Sequence, residues 1–101
     1  MTPLGSRADV PTDAPARYAK QLVSHLGRRV SVTEDAEGTW TTVVGDARGR
    51  ITVGDGVLGL RAEAPGEAGL TLVEHVLGSH LERFGQRNEL AVSWTRGGAG
   101  S

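Results

Sequence analysis

The stretch at residues 30–64, VSVTEDAEGTWTTVVGDARGRITVGDGVLGLRAEA, decides the fold of this chain. Apolar and polar residues alternate in four short segments of it, as they do in strands that bury one face. The segments are separated by polar, glycine-containing turns at 34–38, 45–49 and 54–56. The last turn contains Asp55-Gly56, a pair that tolerates the positive φ angles of a tight hairpin. The sequence therefore predicts a four-stranded antiparallel meander.

Two segments with helical periodicity flank the meander. The buried stripe of the first consists of Tyr18, Leu22 and Leu26, and that of the second of Leu70, Val73, Leu77, Leu81 and Phe84. Spacings of three to four residues predict amphipathic helices, the first ending near Leu26 and the second spanning 67–84. We expect Thr12 or Asp13 to cap the first helix, and Gly27 and Gly85 to follow the ends of the two helices.

Short strands are predicted at both ends of the domain, from Ser6 to Val10 and from Leu90 to Trp94. The resulting order is β-α-β-β-β-β-α-β. Because half-apolar strands leave one sheet face to solvent, both helices should cover the other face. We therefore predict an α+β fold with a mostly antiparallel sheet and two helices on one face. It forms a single domain over 6–96, between a disordered tail at 1–5 and a flexible, glycine-rich tail at 97–101.

The composition excludes several classes of protein. With 101 residues the chain is too short for two separate cores. Its 11 basic and 12 acidic residues argue against a general nucleic-acid binder and a polybasic membrane surface. The absence of cysteine excludes a disulfide scaffold, a thiolate metal site and a cysteine nucleophile. No apolar run can span a bilayer and the N-terminus lacks a signal-peptide pattern, so we expect a cytoplasmic protein without nucleic-acid or membrane partners.

Two of the three histidines border the predicted apolar stripes, His25 on the first helix and His80 on the second. Because both helices cover one sheet face, the two rings could approach each other, and such a pair could bind a metal or act as acid and base near neutral pH. The sequence does not tell whether the rings meet. In the alternative interpretation, each ring packs and donates one hydrogen bond to a carbonyl or carboxylate. The candidate catalytic residues are His25, His80 and Glu82.

We expect no bound metal and no cofactor. A two-histidine metal site needs a third and a fourth ligand. Glu74 and Glu82 lie on the helix of His80, but neither stands at a spacing that singles it out as a ligand.

Cationic residues concentrate near the ends of the two helices, at Arg17, Lys20, Arg28, Arg83 and Arg87. They either form solvated helix faces or line a pocket for a carboxylate or phosphate group, which arginine binds in bidentate geometry. The candidate ligand-binding residues are Tyr18, Lys20, Arg83 and Arg87. Outward-facing residues of the strands offer a further surface for a ligand or a second copy of the chain, namely Thr41, Val43, Ser93 and Thr95.

Three segments resemble a known family. They are RYAKQL at 17–22 with Ser24-His25 and the Val30 strand, the hairpin at 55–64, and HLERF at 80–84 with Arg87, Glu89-Leu90 and Val92-x-Trp94. Together they resemble, over about residues 6–96, the small bacterial domain of unknown function numbered 2218. The family has no established activity, but similar domains are joined to siderophore-interacting flavin reductases, which implies a link to iron handling.

The chain departs from the family pattern at two places. Many relatives carry a second histidine three positions after the first, where this chain has Arg28. The aromatic-proline segment that is usual in the middle strand is replaced by Thr41-Thr42-Val43-Val44. The loss of the second histidine weakens any metal site on the first helix.

The leading hypothesis is a small, cofactor-free binding or accessory domain linked to iron or siderophore metabolism. Its expected partners are a small anionic ligand, a second copy in a homodimer, and a siderophore-interacting reductase. The alternative is a small biosynthetic enzyme that uses His25 or His80 as acid–base and arginines to hold an anionic substrate. A third interpretation is a structural interaction module. An enclosed pocket that reaches His80 would favour the enzyme, whereas histidines bonded to the backbone in a filled core would favour the other two.

Overall fold

The computed structural model describes residues 4–28, 30–35, 38–84 and 92–96. Its elements in chain order are β1 (Leu4–Pro11), α1 (Pro15–Leu26), β2 (Ser31–Glu34), β3 (Trp40–Val44), β4 (Ala47–Val53), β5 (Val57–Ala64), α2 (Glu67–Phe84) and β6 (Thr95–Arg96). This order confirms the predicted α+β fold. Within the described residues, no helix is both long enough and apolar enough to cross a membrane.

The strands form one six-stranded antiparallel sheet in the order β2-β3-β4-β5-β1-β6. The meander supplies the first four strands, and β1 then adds to its far side by pairing with β5 along its whole length, from Leu4 opposite Ala64 to Pro11 opposite Val57. Leu4 and Gly5, which the sequence analysis assigned to the N-terminal tail, therefore belong to β1.

The core lies between the sheet and the two helices, as predicted from the strand and helix periodicity. The stripe of α1 is buried at Tyr18, Leu22 and Leu26, and that of α2 at Leu70, Val73, Leu77 and Leu81. The facing strand residues are Ala8, Val10, Ala47, Ile51, Leu58, Leu60, Ala62 and Ala64. The side chain of Phe84 and the predicted cap Gly85 lie outside the described residues.

Two predicted local features are wrong in detail. β4 begins at Ala47, so the turn after β3 consists of Gly45 and Asp46 rather than 45–49. Gly49 belongs to the strand, where it pairs with Thr42 and Ala62, and it faces α2, where a Cβ would lie 3.0 Å from Leu77 Cδ1. The cap of α1 is Ala14, without a side-chain cap hydrogen bond. Pro15, whose fixed φ suits the first helical position, starts the helix after both predicted caps, and Thr12 Oγ1 accepts a hydrogen bond from the Ala14 N–H at 3.1 Å.

The last strand also differs from its prediction at 90–94. Leu90 and Ala91 lie outside the described residues, Val92 to Trp94 are not in a strand, and β6 is the two-residue segment that pairs with Ser6 and Arg7. Val92 and Trp94 instead pack over α2 at Gly78, where a Cβ would lie 3.1 Å from Trp94 Nε1. The inward packing of these two side chains is the same in a strand and in this irregular segment, so the periodicity of the segment does not distinguish the two.

Candidate functional site

The structure brings the two border histidines together. The ring centroids of His25 on α1 and His80 on α2 are 4.6 Å apart, and the ring planes are inclined by 50°. Both residues are half-buried. The contact follows from the fold, because both helices pack on the same face of the sheet and each histidine stands at the border of its apolar stripe.

A backbone hydrogen bond sets the tautomer of His80. Its Nδ1 lies 2.6 Å from the carbonyl oxygen of Val76, one helical turn earlier. Because a carbonyl can only accept, Nδ1 carries the proton and Nε2 holds the lone pair of the neutral ring. His80 therefore makes the backbone hydrogen bond that the packing interpretation expects, and it also contacts the ring of a second histidine.

The carboxylates nearest in sequence are engaged elsewhere. Glu82 Oε2 accepts a hydrogen bond from the Val92 N–H at 2.9 Å and so anchors the segment that follows α2. Glu74 binds Arg96 at 2.9 Å. Among residues 4–28, 30–35, 38–84 and 92–96 there is no group of three or more His, Cys, Asp or Glu residues that is arranged to hold a metal ion.

The cationic residues predicted to hold a ligand are exposed side chains of the helix layer. Arg17, Lys20, Arg28 and Arg83 are all exposed, and Arg28 borders an open depression between the end of α1 and β2. Tyr18 is only 6 % exposed and packs within the core. Arg87 lies outside the described residues. Ligand binding by the four candidates remains a prediction; they are Tyr18, Lys20, Arg83 and Arg87.

A second constellation, which the sequence analysis missed, lies on the solvent-facing side of the sheet. Arg50 on β4 is directly opposite Arg61 on β5, and Arg61 is directly opposite Arg7 on β1. All three side chains are exposed, while the residues beside them on the same strands, Ile51, Leu60 and Ala8, are buried toward the helices. The three guanidinium groups therefore form a row across three neighbouring strands, on the face away from both helices.

A hollow adjoins this arginine row. Gly59 lies two residues before Arg61 and opposite both Thr52 and Asp9, so the sheet surface carries no side chain at that point. The resulting open concavity has a volume of about 320 Å³. Its lining consists of Arg7, Asp9, Arg50, Thr52, Gly54, Val57, Gly59, Leu60 and Arg61. The arginine row is thus one wall of a concave surface rather than part of a flat face.

Positive charge in the row is only loosely compensated. Arg7 lies 3.6 Å from Asp9 and Arg50 lies 4.0 Å from Asp35, in pairs whose side chains are all 45 % exposed or more. Arg61, in the centre, makes no ion pair with any residue that the structure describes. Such exposed ion pairs contribute little to the stability of the fold, whereas like charges directly opposite each other on neighbouring strands lower it.

The other polar cluster of the molecule joins β6 to α2. Arg96 donates hydrogen bonds to Glu67 at 3.1 Å, to Glu74 at 2.9 Å and to Thr71 Oγ1 at 2.9 Å. The hydrogen bond from Arg96 lowers the pKa of Glu74, against a smaller opposing effect of burial.

The arginine row could not be predicted from the sequence, because only the pairing register of β4, β5 and β1 shows that the three arginines lie side by side. Alternation alone places Arg7 and Arg61 on the outer faces of their strands. The outward position of Arg50 was missed for a second reason: the sequence predicted a turn at 45–49, so the start of the strand that contains Arg50 was not known.

Comparisons with known proteins place the chain by sequence and by structure. No functionally curated protein is similar enough in sequence to match it. The fold is similar to the NMR structure of PA4090 from Pseudomonas aeruginosa, with a TM-score of 0.74 and 24 % identity over 91 % of this chain and 95 % of that chain. At this identity the likeness bears on the fold alone. The sequence model of the family described as "uncharacterized protein conserved in bacteria (DUF2218)" matches residues 7–95. Since this match spans nearly the whole chain, the protein belongs to the DUF2218 family.

Proposed function

We propose that this protein is a small accessory domain that binds an anionic ligand on the solvent-facing side of its sheet. The observation that carries the proposal is the row of Arg50, Arg61 and Arg7 beside the hollow at Gly59. This keeps the ligand class of the leading hypothesis, a carboxylate or phosphate group, but moves its site from the helix ends to the sheet.

The chemistry of the row supports an anion. Three guanidinium groups on adjacent strands repel one another, and among the described residues two loosely placed carboxylates, Asp9 and Asp35, oppose them. A bound carboxylate or phosphate would relieve that repulsion and would accept two parallel hydrogen bonds from a guanidinium. The missing side chain at Gly59 leaves room for the rest of the ligand next to Val57.

The wider setting of the proposal comes from the family. The family resemblance of the sequence implies a link to siderophore-interacting flavin reductases, and on that ground the proposal includes a role in iron or siderophore metabolism, a cytoplasmic location and such a reductase as a partner. A homodimer is also part of the proposal. It is supported by β2, an edge strand of the sheet on which no other described strand pairs along the outer side.

The proposal is tested by titrating inorganic phosphate at low ionic strength into labelled protein and following the arginine and backbone amide signals by NMR. We expect the signals of Arg7, Arg50 and Arg61 to shift in a saturable way. Arg61→Gln should weaken binding roughly tenfold or more, as expected for the loss of one hydrogen bond to a charged group. Arg17→Gln, on the exposed side of α1, removes the same charge from the other side of the molecule and should leave binding unchanged.

The second candidate function is an enzyme that uses the histidine pair. It is favoured by the 4.6 Å contact of the two rings. The bond of His80 to the backbone carbonyl of Val76 instead matches the packing interpretation. Its arginines would have to be those of the helix layer, because the sheet separates the histidines from the arginine row. The same titration distinguishes the two functions. Shifts confined to the His25 and His80 rings would favour the enzyme, and no shift at either site would favour an interaction module.

A further inference from the structure

The arginine row is the centre of a longer line of residues that crosses the whole sheet. The register aligns one residue from each strand, in the order Thr33, Thr41, Arg50, Arg61, Arg7 and Thr95. Arg and Thr side chains all carry hydrogen-bond donors, and none of the six carries a carboxylate. We call these six residues the Thr–Arg stripe.

Its dimensions exceed those of a single phosphate or carboxylate group. Neighbouring strands lie about 4.8 Å apart, so the backbone positions of Arg50 and Arg7 are about 10 Å apart and the whole stripe is about 24 Å long. One anionic group can bind a single guanidinium or bridge two neighbours. A ligand with several anionic groups in a line can engage all three arginines and reach the hydroxyl groups at either end.

Carboxylates border the stripe on both sides. Toward one side, Glu63 lies two residues after Arg61 and opposite Arg48. Toward the other side, Asp9 lies two residues after Arg7 and opposite Gly59. An anion that spreads sideways from the stripe approaches Glu63 or Asp9. An anion that follows the stripe only has to displace the exposed ion pairs of Arg7 with Asp9 and of Arg50 with Asp35, which contribute little to stability. The charge pattern therefore favours a narrow, linear anion.

We propose that the Thr–Arg stripe binds a linear anion with two or more phosphate or carboxylate groups, laid across the strands. This inference rests on the proposed function and narrows its ligand from any small anion to a multivalent one. The central Arg61, which has no ion pair among the described residues, is expected to contact the middle of the ligand.

The test compares orthophosphate, pyrophosphate and tripolyphosphate by isothermal titration calorimetry at one fixed ionic strength. Citrate, a branched tricarboxylate, serves as a compact anion of similar charge. We expect affinity to rise at each step from orthophosphate to tripolyphosphate, by roughly tenfold or more overall for the additional charge-assisted hydrogen bonds. Citrate should bind more weakly than tripolyphosphate.

Two charge-matched variants separate the stripe from a general effect of charge. Arg61→Gln should remove most of the preference for tripolyphosphate over orthophosphate, whereas Arg48→Gln, on the same face but outside the stripe, should retain it. Circular dichroism should be unchanged in both variants, since both side chains are exposed. The melting temperature of Arg61→Gln should not fall, because the substitution removes the repulsion of Arg61 with Arg50 and Arg7. Equal affinity for all the phosphates, or equal losses in both variants, would overturn the inference and leave the proposed function intact. No binding of any anion would overturn the proposed function itself.

Discussion

Two glycines of the central strands face opposite sides of the sheet, and the absence of a side chain has a different consequence at each. Gly49 on β4 points toward α2, where a Cβ would lie 3.0 Å from Leu77 Cδ1 and 3.1 Å from Val73 Cγ1. Gly59 on β5 points toward solvent, and the nearest atom to its Cβ position is Thr52 O at 3.6 Å. The first glycine lets the helix approach the sheet closely. The second, which has room for a side chain, leaves the hollow beside the arginine row.

The packing at Gly49 leads to a prediction for Leu77. This side chain is fully buried in the middle of α2, so Leu77→Ala should lower the free energy of unfolding by about 2–5 kcal/mol through lost apolar burial and a cavity. Domains of this size are stable by only about 5–15 kcal/mol, so the denaturant midpoint should fall markedly.

The control for this prediction lies on the same helix. Leu72 is 47 % exposed, and Leu72→Ala should change the free energy of unfolding by about 0.5 kcal/mol or less. Both variants change the helix propensity equally, so the difference between them reports burial alone. Equal midpoints for the two variants would mean that α2 presents a different face to the sheet.

At the scale of elements, the sequence predicted the bounds of those helices and strands whose positions are set by the spacing of their own apolar residues. The sequence placed α2 at 67–84, and the structure agrees at both ends, because five apolar residues at helical spacing leave little freedom in its position. It placed β5 and its Asp55-Gly56 turn correctly for a similar reason, and Gly56 has the expected positive φ of 70°. The segment 92–94 after α2 was misassigned as a strand because its alternating residues fit equally well an irregular segment in which Val92 and Trp94 pack against Gly78.

The junction of β6 with α2 predicts how stability changes with pH. Arg96 lowers the pKa of Glu74, so the folded state favours the ionised carboxylate more than the unfolded state does. The stabilisation is then complete above the unfolded pKa of glutamate, about 4.3, and is lost as the pH falls through the lower folded value. Glu74→Gln should therefore be less stable than the unmodified protein at pH 7, and the difference should shrink as the pH is lowered toward 3.

Chemical denaturation at a series of pH values measures this difference. Glu67 provides the control, since it binds the same Arg96 at 3.1 Å but its side chain is 77 % exposed, against 12 % for Glu74. Solvent screening should make the effect of Glu67→Gln smaller at every pH. A difference in stability between Glu74→Gln and the unmodified protein that stays constant with pH would show that the ion pair with Arg96 does not lower the pKa of Glu74.

At the scale of the whole molecule, the two candidate sites lie on opposite sides of the sheet. The histidine pair belongs to the helix layer, and the arginine row belongs to the solvent-facing side. The helix stripes and the layer rule put both rings on the same side of the sheet without any knowledge of register, but whether the rings meet was settled only by the structure. The arginine row needed the register of β4, β5 and β1, and β1 pairs with β5 across some fifty residues of chain. One small ligand cannot contact both sites.

The histidine pair lacks the further ligands that a metal site needs. Two imidazole rings supply half of a tetrahedral ligand set. The carboxylates of the same helix are held by other groups, Glu82 by the Val92 N–H and Glu74 by Arg96. Arg28, one turn after His25, adds a positive charge to the same end of α1. We therefore expect no stoichiometric binding of Zn²⁺ or Fe²⁺ with micromolar or better affinity.

Calorimetric titration of each metal into the purified protein, and into His25→Gln and His80→Gln, tests this expectation. The three proteins should give the same weak, unsaturated heats. His80→Gln should lower the melting temperature modestly, because its amide cannot fully replace the Nδ1–H bond to Val76 O, and this loss should be independent of metal. A saturable micromolar site that disappears in both variants would instead mean that the two rings, brought together from opposite ends of the chain, complete a metal centre. The histidine pair rather than the arginine row would then be the functional site of the domain.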